Sequence, residues 1–160
     1  YLNTDGLVTH LKFTIKLMIQ TADCIPIFLC DDKNNLIGLV HSGWKGTRNN
    51  IISNAISIFI EKGSSPEDIK VYLGPSIRQC CYEIKEDVSQ YFNNDFIDIR
   101  DKKKYLNLQK KVVCDLLSLD IKRNNILDSK ICTFDNEEYC SFRRNNKESG
   151  KMLSIIGVIN

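Results

Sequence analysis

Residues 21 to 46 read TADCIPIFLCDDKNNLIGLVHSGWKG, and the way the two apolar runs inside this stretch are joined decides the fold. Ile25 to Cys30 and Leu36 to Val40 are short and almost continuously apolar, as strands are when a sheet is covered on both faces. Between them DDKNN, residues 31 to 35, supplies turn residues. The pair predicts a β-hairpin, and a hairpin brings its outer ends together. Those ends carry Cys24 and His41, which the rise of about 3.3 Å per residue in each arm brings within reach of one site.

Upstream, Gly6 to Thr9 and Leu17 to Gln20 are short strand-like pieces. Downstream, SGWKGT reads as a glycine-bearing turn. From Arg48 to Lys62 apolar residues recur at 51, 52, 55, 56, 58, 59 and 60, a helical stripe that stops at Gly63. Thr47 is placed to cap that helix, whose free N–H groups would favour an anion. KVYLG predicts a further strand, and Gly74-Pro75 opens a loop running into CCYEI. Glu86 to Phe92 reads as a short helix, 98 to 107 as a polar loop and Leu106 to Leu119 as an amphipathic helix. Lys130 to Phe134 and Met152 to Ile159 read as strands. Strands and helices mix without βαβ alternation. The expected fold is α+β, a single domain over 1–160 with mixed β-sheets and helices outside, layered α/β/β/α-like.

A chain of 160 residues is of single-domain size. Its net charge of +2, with acids and bases interspersed apart from Lys102, Lys103 and Lys104, argues against nucleic acid as a partner. The sequence has no apolar tract of membrane-spanning length. Seven cysteines, an odd number, with no signal-peptide pattern fit a reducing cytoplasm. The opening YLNTDGLVTH reads as the middle of a folded chain, so an N-terminal part is expected to be missing.

A thiolate at Cys24 and a neutral imidazole at His41 are ligands that suit zinc, although catalytic zinc ordinarily has three protein ligands. The same pair could act as nucleophile and base, or Cys24 could simply be one more buried cysteine. The small residues around both, TAD and SGWKG, leave room for a substrate. His10 is either a third ligand or a solvated turn histidine. Cys80 and Cys81, adjacent in an extended segment, would point to opposite faces and not share an ion; with Cys30, Cys114 and Cys132 they are expected to fill core. Arg143 and Arg144 could clamp a phosphate or coat a loop. Lys45 and Arg48 stand beside the predicted helix start, where an anion would bind. Trp44 either stacks on a base or packs.

Read together and in order, GLVTH, TADCIPIFLCD, VHSGWKGT, LGPSIRQCCYEI and EYCSFRRNNKESGKM resemble the laccase-domain or YfiH-like family, also called polyphenol oxidoreductase and associated with purine nucleoside phosphorylase activity. The resemblance runs from Asp5 to the C-terminus, the C-terminal two-thirds of the family. It implies a zinc site with Cys24 and His41 as ligands and a third ligand, a histidine in a Q-x-H segment, upstream of Tyr1. It also implies phosphorolysis of adenosine, inosine or methylthioadenosine, with adenosine deaminase activity as a companion. The partners are then a purine nucleoside and phosphate, without membrane, in a chain that could form a homodimer. On this basis Lys45, Arg48 and Arg143 are the phosphate candidates, Arg48 and Arg143 also counting as catalytic. Lys45 replaces the arginine of the family's AGWRG. Asp23 is a candidate acid/base or a group that orients Cys24.

Two other classes compete. One is a cysteine hydrolase or deamidase using Cys24 and His41, and the other is a non-catalytic remnant domain lacking a ligand. The laccase label implies copper, which two histidines do not support in multicopper form.

Overall fold

In the computed structural model, which describes residues 4–158, β1 (Gly6–His10) and β2 (Leu17–Thr21) lead into the expected hairpin, formed by β3 (Ile25–Asp31) and β4 (Leu36–Ser42). Then follow α1 (Trp44–Arg48), α2 (Ile51–Glu61), β5 (Lys70–Leu73), β6 (Glu83–Ile84) and α3 (Glu86–Ser89). The rest comprises β7 (Ile97–Arg100), β8 (Lys103–Leu106), α4 (Leu108–Ser118), β9 (Ile126–Asp128), α5 (Phe142–Asn145) and β10 (Met152–Ile156). The strands form three sheets, ordered β1-β4-β3-β5-β9, β10-β2 and β6-β8-β7. Mixed α/β architecture with several sheets is thus the fold, as expected.

The hairpin is continuously apolar because both faces of its sheet are covered. Ile27, Leu29, Leu36 and Val40 belong to the main core, together with Phe59 of α2 and Val112 and Leu116 of α4. Ile37 and Leu39 face a second, smaller core with Leu17, Ile19, Phe28 and Ile156, beneath the β2–β10 ribbon. On α2 the buried residues are Ile52, Ala55, Ile56 and Phe59, one face of a helix at i, i+3, i+4 and i+7. Gly38 lets that helix approach, since a Cβ there would stand 3.0 Å from the Phe59 ring.

Several sequence expectations are corrected. Thr47 does not cap a helix starting at Arg48: it lies within α1, its hydroxyl 2.8 Å from that of Ser42 and donating to the Gly43 carbonyl at 3.0 Å. Asn50, in the left-handed region at φ 57°, breaks the chain before α2 starts. An anion site at the head of one long helix is therefore not formed, because α1 has five residues and begins at Trp44. The polar stretch 98 to 107 is not a loop: β7 and β8 pair antiparallel, Arg100 opposite Lys103. Their two-residue turn takes Asp101 and Lys102 at φ 48° and 64°, the primed-turn backbone that matches strand twist even without Asn-Gly. The strand expected at Lys130 to Phe134 lies earlier, at β9, parallel to β5. Only an isolated bridge joins Cys132 to Ser76. The closing strand stops at Ile156, and Ile159 lies outside the described residues.

Arg78 ties the segment after β5 to the end of β9, donating through both terminal nitrogens to the Asp128 carboxylate at 2.7 and 2.8 Å. Burial works against the Asp128 charge, but the Arg78 guanidinium and the Lys130 N–H outweigh it and hold the carboxyl below its ordinary value. A depressed folded pKa stabilises above the ordinary aspartate value of about 3.9 and is lost as pH falls through the folded one. Asp128→Asn is expected to cost about 1–3 kcal/mol at neutral pH, because Arg78 loses its charged partner. Thermal melts should show the difference from the native protein shrinking at the acid end.

Candidate active site

Cys24 sits just before β3, and the register opposes Ile25 to Ser42 and Pro26 to His41. The hairpin therefore does bring the two ends alongside each other. Cys24 lines a cavity of about 200 Å³ with Ala22, Asp23, Trp44, Tyr82, Phe142 and Arg143 among its walls. His41 lines a second concavity with Leu7, Met18 and Gln20. Its Nδ1 lies 3.2 Å from an Asp5 carboxylate oxygen. A carboxylate at Nδ1 leaves Nε2 as the nitrogen facing away from Asp5.

Gly43 precedes α1 because a side chain would not fit. A Cβ there would stand 2.8 Å from the Cys24 sulfur. Burial, then the Asp23 carboxylate, push the Cys24 thiol up to about 11. Burial, then the neighbouring Cys24, also raise the Tyr82 phenol.

Asp23 has a left-handed backbone, φ 83°, and a carboxylate that is already engaged. One oxygen accepts from the Thr133 hydroxyl at 2.7 Å and the other from the Arg143 N–H at 2.6 Å. It thereby anchors the 141–145 segment, which brings Phe142 and Arg143 to the cavity. The Arg143 guanidinium lies 5.4 Å from the Tyr82 ring centre and donates to the Glu83 carbonyl at 2.6 Å. Arg144 proves structural: its terminal nitrogens donate to the carbonyls of Thr133, Phe134 and Tyr139 at 2.7–2.9 Å.

Of the expected site residues, Asp23, Cys24 and Arg143 share the cavity, whereas His41 lines a different concavity. Lys45 and Arg48 are not brought there. Both are exposed, Lys45 lying over the Trp44 ring at 5.5 Å and Arg48 over the Tyr91 ring at 3.6 Å. Trp44 both packs and lines the site, its ring stacked on Tyr91 at 6.0 Å. His10 ends β1 and accepts from the Lys12 N–H through Nδ1 at 3.0 Å. Sequence reasoning did not single out Tyr82, Phe142 and Thr133, although each sits inside or next to a stretch it noticed.

The cysteines overturn another expectation. Residues 79–81 form a turn, with Cys81 and Tyr82 both donating to the Arg78 carbonyl at 2.9 Å, so the extended-segment rule fails. The Cys80 and Cys81 sulfurs come within 3.1 Å, and Cys80 and Cys132 within 3.6 Å. Cys114 is exposed rather than core, and Cys30 is only partly buried.

The chain is a mixed α/β protein whose cavity is lined by Cys24 and by the aromatic side chains of Trp44, Tyr82 and Phe142. The family profile described as "Multi-copper polyphenol oxidoreductase laccase" matches residues 1–159, and the chain belongs to that family. It is 38% identical over 97% of its length to a purine nucleoside phosphorylase of Clostridium acetobutylicum, covering 67% of that protein. It is 28% identical over 95% of its length to an adenosine deaminase from an unknown prokaryotic organism, covering 61% of it. The crystal structure of the Bacillus licheniformis hypothetical protein YfiH superposes with a TM-score of 0.88 at 30% identity, over 98% of this chain and 62% of that one. The chain thus spans roughly two-thirds of the relatives it matches. Among the described residues no helix is long and apolar enough to cross a membrane.

Proposed function

We propose that this protein is a purine nucleoside phosphorylase acting on adenosine, inosine or methylthioadenosine. The observation that carries it is a single cavity offering three aromatic walls, Trp44, Tyr82 and Phe142, together with the Arg143 cation. The flat faces suit a purine base and the guanidinium suits phosphate, whereas deamination needs no anion. The likeness to a protein named purine nucleoside phosphorylase supports the same reading.

Cys24 and His41 fit zinc in chemistry, one a soft sulfur donor and the other a carboxylate-oriented imidazole. They are two donors where catalytic zinc uses three, and the upstream family histidine would be the third. When bound, zinc would supply a fixed positive charge and a Lewis acid. In phosphorolysis a phosphate oxygen forms a bond to C1′ as the C1′–N9 bond breaks. The electron pair leaves with the base, which takes at N9 the proton that the attacking hydrogen phosphate gives up, and the products are free purine and sugar 1-phosphate. Arg143 neutralises the incoming phosphate, and the aromatic walls hold the base in line; positioning and electrostatics carry the rate. Seven free thiols suit a reducing cytoplasm.

The cysteine-hydrolase reading is weaker, since a nucleophilic cysteine needs a lowered pKa, and Cys24 is raised by burial and by Asp23.

The test is incubation of the three nucleosides with and without phosphate, following base and sugar 1-phosphate. Base release that requires phosphate is expected, and Arg143→Ala should raise the KM for phosphate about 10- to 100-fold with a smaller effect on that for nucleoside. No turnover, or base release independent of phosphate, would sink the assignment. Ammonia release from adenosine without phosphate would move it to deamination.

A further inference from the structure

We infer that Cys80, Cys81 and Cys132 form a second, structural site for a thiophilic divalent cation such as zinc, separate from the Cys24 and His41 pair. Among the described residues these three are the group of metal-binding side chains whose ligand atoms all lie within 4.8 Å of one another. Two of the separations are 3.1 and 3.6 Å. Three sulfurs at zinc–sulfur distances of about 2.3 Å around a tetrahedral ion would stand about 3.8 Å apart, so the Cys80–Cys81 pair would open by about 0.7 Å and the Cys80–Cys132 pair by about 0.2 Å to complete three corners. Cys80 is exposed and leaves the fourth corner to solvent.

The surroundings of Cys132 support a charged sulfur. Its Sγ accepts the Arg78 N–H at 3.4 Å, which adds a donor on the side facing the turn. A neutral thiol is a weak acceptor, whereas a ligating thiolate gains from an N–H donor. A disulfide would pair two of the sulfurs and strand the third, whereas one cation uses all three.

The placement gives the site a purpose. Cys81 immediately precedes Tyr82, a wall of the cavity, and Cys132 immediately precedes Thr133, which donates to Asp23. The two segments also meet through the Ser76–Cys132 bridge, the Arg78–Asp128 pair and the Arg78 N–H bond to the Cys132 sulfur. A cation held by three thiolates from both segments would staple the cavity wall to the loop that orients Asp23 and Arg143. This does not depend on the reaction the cavity performs.

The experiment is an anaerobic cobalt(II) titration of the reduced protein in a Cys24→Ala background, which removes the other sulfur donor. About one cobalt per chain is expected, with sulfur-to-cobalt charge-transfer absorption and tetrahedral d–d bands that zinc bleaches. Cys80→Ser and Cys132→Ser should each weaken cobalt binding at least tenfold, and Cys114→Ser should leave it unchanged. Cys80 is exposed, so its serine variant tests the site even where Cys132→Ser does not fold. Metal should also raise the melting temperature of the Cys24→Ala protein, a shift absent once Cys80→Ser is added. The inference is overturned by the lack of charge-transfer absorption in the Cys24→Ala protein, by cobalt binding indifferent to Cys80→Ser, or by a count of free thiols showing two of the three cysteines joined.

Discussion

Cys24→Ala is expected to lower phosphorolysis at least about 100-fold while leaving the fold in place. Losing a group that stands behind a ligand typically costs 10- to 100-fold, and loss of the sulfur itself should cost more. The fold should tolerate the change, because a small buried thiol contributes little beyond packing and alanine keeps its Cβ. Metal content should fall by about one ion per chain, the thiol cluster at Cys80, Cys81 and Cys132 keeping its own. Gly43→Ala offers the opposite perturbation. It retains the sulfur but drives a Cβ to 2.8 Å from it, so activity should fall with Cys24 still present. Steady-state kinetics and metal analysis on the two variants test this together. Native kcat/KM in Cys24→Ala would remove Cys24 from the site.

The central hairpin was legible because its signal is local: two apolar runs, a five-residue polar joint, and lengths too short for helices. The stripe on α2 was legible for the same reason, at the spacing of Ile52, Ala55, Ile56 and Phe59. The β7–β8 hairpin was missed because Asp101 and Lys102 adopt positive φ without glycine or asparagine to announce it, and because its strands, IDIR and KKYL, are short and carry charged residues up to the turn. β9 was missed because its pairing with β5 is parallel and long-range, which no local pattern encodes.

The site divides in the same way. Cys24 and His41 could be proposed from hairpin geometry, since sequence fixes which residues flank a turn. Arg143 reaches the cavity through its N–H bond to Asp23 and its guanidinium bond to the Glu83 carbonyl, contacts between residues far apart in the chain. Lys45 and Arg48 looked better placed because a single long helix was expected. The break at Asn49 and Asn50 instead turns them over Trp44 and Tyr91. The thiol cluster was hidden by a rule that is right for strands, and the Arg78-anchored turn makes it inapplicable.

Asp23 separates two roles that sequence left open, and the expected outcome is that it positions rather than transfers protons. Asp23→Ala should cost about 3–5 kcal/mol. The Thr133 hydroxyl and the Arg143 N–H both lose their acceptor, and alanine must hold a left-handed backbone that asparagine and aspartate tolerate far better. Activity should fall about 10- to 100-fold as the segment carrying Phe142 and Arg143 loosens. Asp23→Asn should lose less than about tenfold, because its amide oxygen can accept from Arg143 and its nitrogen can donate to the Thr133 hydroxyl, which also accepts. The discriminating result is the asparagine variant's pH profile. Activity near native, with the profile unmoved, is what a positioning carboxylate produces. An asparagine variant that melts like the native protein yet is as inactive as the alanine one, with the limb of the profile due to a catalytic base gone, would make Asp23 the acid/base after all.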